Sequence, residues 1–161
     1  MENIIFRPAK KDETETVLAL YRQSVGTPFC TWDETYPGLW EITHDLDAGT
    51  LFVLESEGSV IGAISINYEN ELDDLPEWHI RENAGEFTRV VLRPEYRGKH
   101  LAKVLVTHVM AEMKKRGLRA AHLTVVPENL PAFRTYLGLG FSVVGEAELF
   151  GHRFKLCEKE L

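Results

Sequence analysis

The residues best suited to chemistry lie where a predicted strand passes into a long predicted helix. This segment, Arg97-Gly98-Lys99-His100-Leu101-Ala102, follows the apolar pair Val91-Leu92 and a short turn. The first turn of a helix leaves backbone N–H groups unpaired and carries about half a positive charge. Two cationic side chains add to that field, and a glycine lets a ligand approach the backbone. The segment therefore predicts a pyrophosphate site, with a solvated basic helix start as the alternative interpretation.

A second group of residues is spaced along the next predicted helix and the glycine that ends it. It consists of Asn129, Ala132, Tyr136, Gly140 and Phe141. Together with the basic loop it resembles the GNAT superfamily of N-acetyltransferases. The loop resembles the Arg/Gln-x-x-Gly-x-Gly/Ala loop with which that family binds acetyl-CoA, and the helix residues resemble its second motif. Both motifs stand in the family's order, and the resemblance in topology covers nearly the whole chain.

One loop position departs from the family pattern, because His100 stands where the family has its middle glycine. A histidine is strained there if the backbone needs a positive φ angle. A conformation belonging to the first turn of the helix tolerates it. These two alternatives make different predictions for the start of the helix.

The resemblance implies acetyl-CoA as co-substrate and assigns roles to individual residues. The pyrophosphate would be held by backbone amides of the loop, namely Arg97, Gly98, Lys99, His100, Leu101 and Ala102. The backbone of Val91 and Leu92 would pair with the pantetheine arm in the manner of an added strand. Asn129 matches a cofactor contact, with a helix cap as the alternative. Tyr136 matches the general acid that protonates the departing sulfur, with a buried core tyrosine as the alternative.

An amine acceptor must lose a proton before it attacks the thioester. A lysine-like amine is neutral only about once in 2,500 molecules at pH 7, which corresponds to roughly 4.6 kcal/mol. Glu86, six residues before Leu92, resembles the general-base position of some GNAT branches, and an exposed strand-edge glutamate is the alternative. Further carboxylate or imidazole candidates lie in loops expected to line the acceptor groove: Asp33, Glu34, Glu69 and His79.

Aromatic residues in the same predicted loops suggest how a cationic acceptor would be held. Trp32, Tyr36, Trp78 and His79 predict a wall that uses ring faces as well as shape. The alternative is that these rings cover the edge of the core. No metal site is expected, because His108 and Glu112, one helical turn apart, have no evident third ligand.

The order of the predicted elements defines the fold class. The pattern predicts strands at 4–8, 51–54, 59–68, 86–93 and 120–126, an antiparallel pair within 141–156, and helices after 12, after 37, at 97–117 and at 129–139. An Asp12–Glu15 capping box is expected to open the first helix. We therefore expect an α/β (α+β mixed) fold, with a GNAT-like, central, mostly antiparallel twisted sheet flanked by helices, in a single domain spanning 1–161.

Charge and composition limit the partners. The 161 residues include 18 Lys+Arg and 25 Asp+Glu, giving a net charge of −7, which disfavours nucleic acid as a partner. No apolar run is long enough for a membrane span, and the two cysteines, Cys30 and Cys157, fit a cytoplasmic protein. The last strand pair carries Phe150, Phe154 and Leu156 and suggests a homodimer.

The sequence thus predicts an N-acetyltransferase that moves an acetyl group from acetyl-CoA to a primary amine of a small molecule or peptide. Neither cysteine has a local activating signature, so direct attack without an acyl-enzyme is expected. The alternative is a non-catalytic acyl-CoA-binding regulatory module on the same scaffold.

Overall fold

The fold is seen in a computed structural model, which describes residues 3–68 and 75–161. Within those ranges lie seven strands and four α-helices. In chain order they are β1 (Ile4–Pro8), α1 (Thr14–Ser24), α2 (Leu39–Ala48), β2 (Leu51–Ser56), β3 (Ser59–Asn67), β4 (Ala84–Leu92), α3 (Leu101–Lys115), β5 (Ala120–Val125), α4 (Leu130–Gly138), β6 (Ser142–Leu149) and β7 (His152–Glu160). Single 3-10 turns, Lys11–Glu13 and Pro94–Tyr96, precede α1 and α3.

The seven strands form one mixed sheet in the order β1-β2-β3-β4-β5-β7-β6. Antiparallel pairing joins β1 to β2, β2 to β3, β5 to β7 and β6 to β7, whereas β4 and β5 run parallel. The predicted fold class, a mostly antiparallel sheet flanked by helices, is confirmed.

Strand β4 is irregular at the point where it leaves β5. Its ladder with β5 pairs only Ala84, Gly85 and Glu86 with residues of β5, although β4 continues to Leu92. Three residues beyond the last pair, Arg89 has a φ angle of 53°, which is outside the extended region of a strand. Six residues of β4 therefore extend past its ladder with β5.

The chain divides into two compact units, which share β4 and α3. The first comprises Met1–Ile66 and Thr88–Val109, and its core cluster is formed by Val17, Leu20, Tyr21, Ile42, Leu51, Val53, Ala63 and Val91. The second comprises Asn67–Phe87 and Met110–Leu161. Its buried apolar side chains include Phe87, Met113, Leu123, Phe141 and Leu156.

The start of α1 differs from the sequence prediction. The expected Asp12–Glu15 capping box is wrong, because the 3-10 turn shifts the cap. Glu13 instead accepts a hydrogen bond from the backbone N–H of Lys10 at 2.8 Å. Its carboxylate also binds the Arg7 guanidinium at 2.7 Å, and both contacts lower the pKa of Glu13.

Candidate active site

The loop between β4 and α3 has a left-handed backbone at two positions. Gly98 has a φ angle of 74° and His100 one of 62°, and α3 begins only at Leu101. The predicted helix start at Arg97 is therefore wrong, and the strained alternative for His100 holds. Such a conformation costs a non-glycine residue about 1–2 kcal/mol. The His100 carbonyl already accepts the first bond of α3, from the Val104 N–H at 3.3 Å.

This backbone arrangement suits an anion. Left-handed residues in a turn bring successive N–H groups to one concave side, and such nests bind phosphates. The loop residues 97–100 are all exposed, and α3 is 15 residues long, so its dipole adds to the same end. A Cβ added at Gly98 would meet nothing within 4 Å, so glycine serves the φ angle there and not a tight fit.

The cationic side chains of the loop have partners within the first unit. Arg97 Nη2 donates to the Ser24 hydroxyl at 3.2 Å and to the Leu92 carbonyl at 3.4 Å. Lys99 Nζ lies 5.4 Å from the centre of the Tyr96 ring. The Arg97 guanidinium thus holds the loop against α1 and the end of β4. The donors that the loop presents to an anion are therefore mainly backbone N–H groups.

Val91 and Leu92 place their side chains in the core, as expected for a site that uses only their backbone. They are 3% and 9% exposed. A Cβ added at Gly62 would lie 2.8 Å from the Leu92 side chain and 2.9 Å from the Val91 carbonyl oxygen, so β3 approaches β4 closely there. Both residues lie beyond the three-pair ladder with β5.

A buried ion pair lies beside β4 in the first unit, and the sequence analysis missed it. Arg89 Nη2 donates to Asp45 Oδ2 at 2.6 Å, and Ser65 Oγ donates to the same oxygen at 2.8 Å. Burial alone would lower the pKa of Arg89, but the Asp45 carboxylate raises it above its usual value. The only sequence signal is a single arginine within the apolar run of β4.

Two of the predicted acceptor-wall residues, Trp32 and Tyr36, lie in the first unit. Tyr36 is 44% exposed, and its hydroxyl accepts a hydrogen bond from Arg89 Nη1 at 3.3 Å. Trp32 is half-buried and packs edge-on against Tyr21, with ring centres 5.4 Å apart. Tyr36 is therefore anchored to the buried ion pair, whereas Trp32 covers the core.

In the second unit, Tyr136 lies among aromatic side chains. Its ring centre is 5.9 Å from that of Phe87 and 6.1 Å from that of Phe141. Burial raises the pKa of Tyr136 to about 12 and that of the nearby Cys157 thiol to about 11. On the same helix, Asn129 Oδ1 accepts the Ala132 N–H at 3.3 Å, so Asn129 is a helix cap.

Glu86 is buried on an interior strand of the sheet. It is 7% exposed and lies opposite His122 of β5 in the register. An exposed strand-edge glutamate, the alternative interpretation of the sequence, is therefore wrong. The position therefore places a carboxylate in a largely dry part of the sheet.

Two more buried polar residues, His122 and Glu158, lie on the strands next to Glu86, and no local sequence pattern indicates them. His122 Nε2 lies 2.9 Å from Glu158 Oε2, and both residues are buried. Trp78 is 3% exposed and stacks on the His122 ring, with ring centres 3.9 Å apart. One face of the Trp78 ring is therefore covered by His122. The neighbouring His79 is exposed.

The remaining candidates have local roles or are not described. Asp33 Oδ1 accepts hydrogen bonds from the Thr35 hydroxyl and N–H, which lower the pKa of Asp33 and make it a turn residue. Glu34 is exposed, and Glu69 lies outside the described residues. His108 stacks on Phe6, with ring centres 5.0 Å apart, while Glu112 binds Arg116.

Among residues 3–68 and 75–161, no group of three or more His, Cys, Asp and Glu side chains is arranged to hold a metal ion. Within the same ranges, no helix is long and apolar enough to cross a membrane.

The sequence profile of the acetyltransferase (GNAT) family matches residues 16–141, which is most of the chain. The chain belongs to the GNAT family of acetyltransferases. The match includes the β4–α3 loop and the residues from Asn129 to Phe141, so the predicted family is confirmed. As a GNAT protein, the chain has the fold that the two motifs predicted.

Individual relatives are similar either over a short segment or at low identity over most of the chain. The chain is 43% identical to a mycothiol acetyltransferase of Corynebacterium urealyticum over 63 residues, which are 39% of this chain and 19% of that protein. It is 26% identical to a spermidine N(1)-acetyltransferase of Thermoplasma acidophilum over 154 residues, 88% of this chain and 89% of that protein. The mycothiol acetyltransferase match thus spans about a fifth of that protein's length.

A solved structure with the same fold contains the expected ligand. It is a GNAT superfamily phosphinothricin acetyltransferase of Sinorhizobium meliloti in complex with acetyl-CoA, at a TM-score of 0.80 and 20% identity. The superposition covers 98% of this chain and 88% of the other. At this identity the likeness establishes the GNAT fold alone.

Proposed function

We propose that this GNAT chain, acting as one domain, transfers the acetyl group of acetyl-CoA to a primary amine. The observation that carries the proposal is the left-handed turn at Gly98 and His100, which leads into α3 after β4 and the short 3-10 turn. The Arg97 N–H donates to the Pro94 carbonyl at 3.2 Å, so the backbone amides of residues 98–102 form the anion site. Acetyl-CoA carries a pyrophosphate that suits such a site. Acetyl-CoA bound to a relative of the same fold supports the choice of ligand.

The pantetheine arm of acetyl-CoA is expected to bind the backbone of β4. Pantetheine is an extended chain with two amides, and such a ligand binds a free strand edge through main-chain hydrogen bonds. Val91 and Leu92 lie beyond the three-pair ladder with β5 and keep their side chains in the core. We assign their backbone to pantetheine, and the Asn129 backbone to a further cofactor contact while its side chain caps α4.

The proposed chemistry needs a base and an acid. Glu86 takes a proton from the acceptor ammonium, and the neutral nitrogen then attacks the acetyl carbon as the C–S bond breaks. Tyr136 donates its proton to the departing sulfur. Its raised pKa, about 12, keeps it protonated across the neutral range. After the attack the nitrogen carries one proton more than an amide, and it releases that proton to solvent. The residual tyrosinate takes up a proton from solvent and Glu86 returns its proton there, so one proton is released per turnover.

Direct attack is favoured over an acyl-enzyme. The thiol that lies near Tyr136 is Cys157, and burial raises its pKa to about 11. Only about one such thiol in 10,000 is ionised at pH 7, and the thiolate is the nucleophilic form. Cys157 is therefore a poor acceptor for the acetyl group.

We propose a small-molecule or peptide amine as the acceptor, with Tyr36, Trp32, His79 and Trp78 near it. A spermidine acetyltransferase that matches most of the chain supports a cationic acceptor. Tyr36 is the strongest of the four, because it is exposed and held by Arg89. A cation gains from a tyrosine ring face by about 0.5–2 kcal/mol.

The assembly and compartment are part of the same proposal. Strand β6 ends the sheet, and Val143 and Phe150 beside its edge are 41% and 72% exposed. Leu156 is fully buried, so it does not contribute to that surface. We propose a homodimer through β6, which a light-scattering mass tests. Both cysteines are free thiols, in agreement with a reducing cytoplasm.

The decisive experiment measures binding and turnover separately. Acetyl-CoA at 100 times its Kd should stabilise the protein by about 2.7 kcal/mol, seen as a rise in Tm. Release of free CoA thiol is then followed with spermidine, phosphinothricin and a peptide with a free amino group. Release with at least one amine supports the enzyme. A Tm rise without release from any amine supports the non-catalytic module, and no Tm rise contradicts the cofactor assignment.

A further inference from the structure

Three buried titratable residues form a row across the sheet in the second unit. Glu86 of β4 is paired with His122 of β5, and His122 is paired with Glu158 of β7. Their exposed fractions are 7%, 4% and 7%. Paired residues on neighbouring strands project to the same face, and such strands lie about 4.8 Å apart. The three side chains therefore project from one face of the sheet and are largely removed from water.

The hydrogen bonds fix one proton of the imidazole. Glu158 Oε2 accepts from the backbone N–H of His79 at 3.1 Å and from that of Ile80 at 2.9 Å. Backbone N–H groups only donate, so this oxygen acts as an acceptor. His122 Nε2, at 2.9 Å from the same oxygen, is then the protonated nitrogen. The stacked ring of Trp78 holds the imidazole plane in this orientation.

The charge of the His122 ring depends on whether its other nitrogen, Nδ1, also carries a proton. A histidine with one nitrogen bound to a carboxylate takes up a second proton readily near neutral pH. The groups around it include Glu86 from β4, Glu158 from β7 and His79 from the segment 75–83, whose Nδ1 is 3.9 Å from Glu158 Oε1. Glu77 of that segment packs against β6. A carboxylate bound at Nε2 and a second one on the paired residue of β4 both attract a positive charge on this ring.

We propose that His122, held by Glu158, is a positioning residue for the base: its imidazolium keeps Glu86 ionised and able to accept a proton. Burial alone disfavours a carboxylate, whereas an opposite charge on the paired residue of the neighbouring strand favours it. The role of His122 rests on the proposed function, in which Glu86 deprotonates the amine. It also explains why three titratable groups are buried in one row.

The first test is the pH profile of kcat/KM for the amine at saturating acetyl-CoA. His122→Gln keeps a donor for Glu158 but carries no charge, so Glu86 should ionise only at higher pH. The acidic limb of the profile should move up by about one to two pH units, with KM for acetyl-CoA unchanged. The control is His152→Gln at the exposed start of β7, for which no movement is expected.

The second test needs no activity and remains valid if His122→Gln does not fold. Proton NMR follows the titration of the His122 ring in the whole protein. Its midpoint should fall in Glu86→Gln and in Glu158→Gln, because each removes a neighbouring negative charge. The exposed Glu82→Gln serves as the control. An unchanged midpoint in Glu86→Gln overturns the coupling between the two residues.

The two proposals fail in different ways. If Glu86→Gln keeps the full rate and the same pH profile, Glu86 is not the base and the proposed function loses that step. If Glu86→Gln is impaired but the acidic limb of His122→Gln stays in place, only the role of His122 is overturned. Movement of the limb together with the fall of the NMR midpoint supports both.

Discussion

Arg89 and Asp45 form an ion pair of 2.6 Å whose two side chains are only 9% and 3% exposed. The arginine belongs to the irregular part of β4 and the aspartate to α2, so the pair fastens α2 to the strand that leads into the β4–α3 loop. Arg89 also donates to the Tyr36 hydroxyl. This buried ion pair thus fixes the position of Tyr36, a residue of the proposed acceptor wall, and of β4, the strand proposed to bind pantetheine.

Asp45→Asn should be strongly destabilising, because it leaves the Arg89 guanidinium buried without its counter-charge. Removing one partner of a buried pair costs about 3–5 kcal/mol. Urea unfolding at pH 7 measures the change in the free energy of unfolding. The control is Asp47→Asn on the exposed side of the same helix, expected within about 0.5 kcal/mol of the wild type. A loss under 1 kcal/mol for Asp45→Asn would mean that solvent screens the pair.

The strained loop predicts opposite effects for two substitutions. His100→Gly relieves a left-handed histidine and should raise the free energy of unfolding by up to about 1 kcal/mol. Gly98→Ala places a Cβ in open space but forces alanine into the same region of φ, so it should lower stability by about 1 kcal/mol. Urea midpoints measure both. Changes of the same sign would contradict the assigned backbone.

The sequence predicts features that contiguous residues determine, such as the β4–α3 loop, but not ion pairs between residues far apart in the chain. Strands, helices and the glycine stops follow from local spacing, and the structure agrees with most of their predicted bounds. The loop was located because its residues are contiguous. The Arg89–Asp45 and His122–Glu158 pairs join residues 44 and 36 positions apart, so no local pattern signals them. The positive φ angle of His100 was equally hidden, because it is imposed by the turn into α3.

Tyr136→Phe should lower kcat without changing the Kd of acetyl-CoA. CoA thiolate is a good leaving group, so kcat should fall by about 100-fold or less, which is the lower end of the range for removal of a general acid. Steady-state kinetics with the best amine measure it, with exposed Tyr68→Phe as the control. Because the pKa of Tyr136 is raised to about 12, the wild type should show no loss of acid function around pH 10. An unchanged kcat in Tyr136→Phe would remove it as the acid.

Cys157→Ala tests direct attack. The thiol has a pKa raised to about 11 by burial and takes no part in the proposed reaction, so kcat should stay within a few-fold of the wild type. Intact-protein mass spectrometry after incubation with acetyl-CoA alone should find no stable acetyl adduct. An adduct that vanishes in Cys157→Ala, together with loss of turnover, would establish an acyl-enzyme instead.

Tyr21 should make the fold sensitive to alkali. The hydroxyl is fully buried, and burial raises the pKa of Tyr21 from 10.0 to about 12. Between those values the unfolded chain releases the proton and the folded chain keeps it, so stability is intact below pH 10 and is lost as pH rises toward 12. The slope contributed by one such group is at most about 1.4 kcal/mol per pH unit. Urea midpoints at pH 7, 9 and 11 measure this, and Tyr21→Phe should flatten the fall above pH 10. Exposed Tyr68→Phe should leave the fall unchanged, and an equal fall in wild type and Tyr21→Phe would show that other groups cause the alkaline loss.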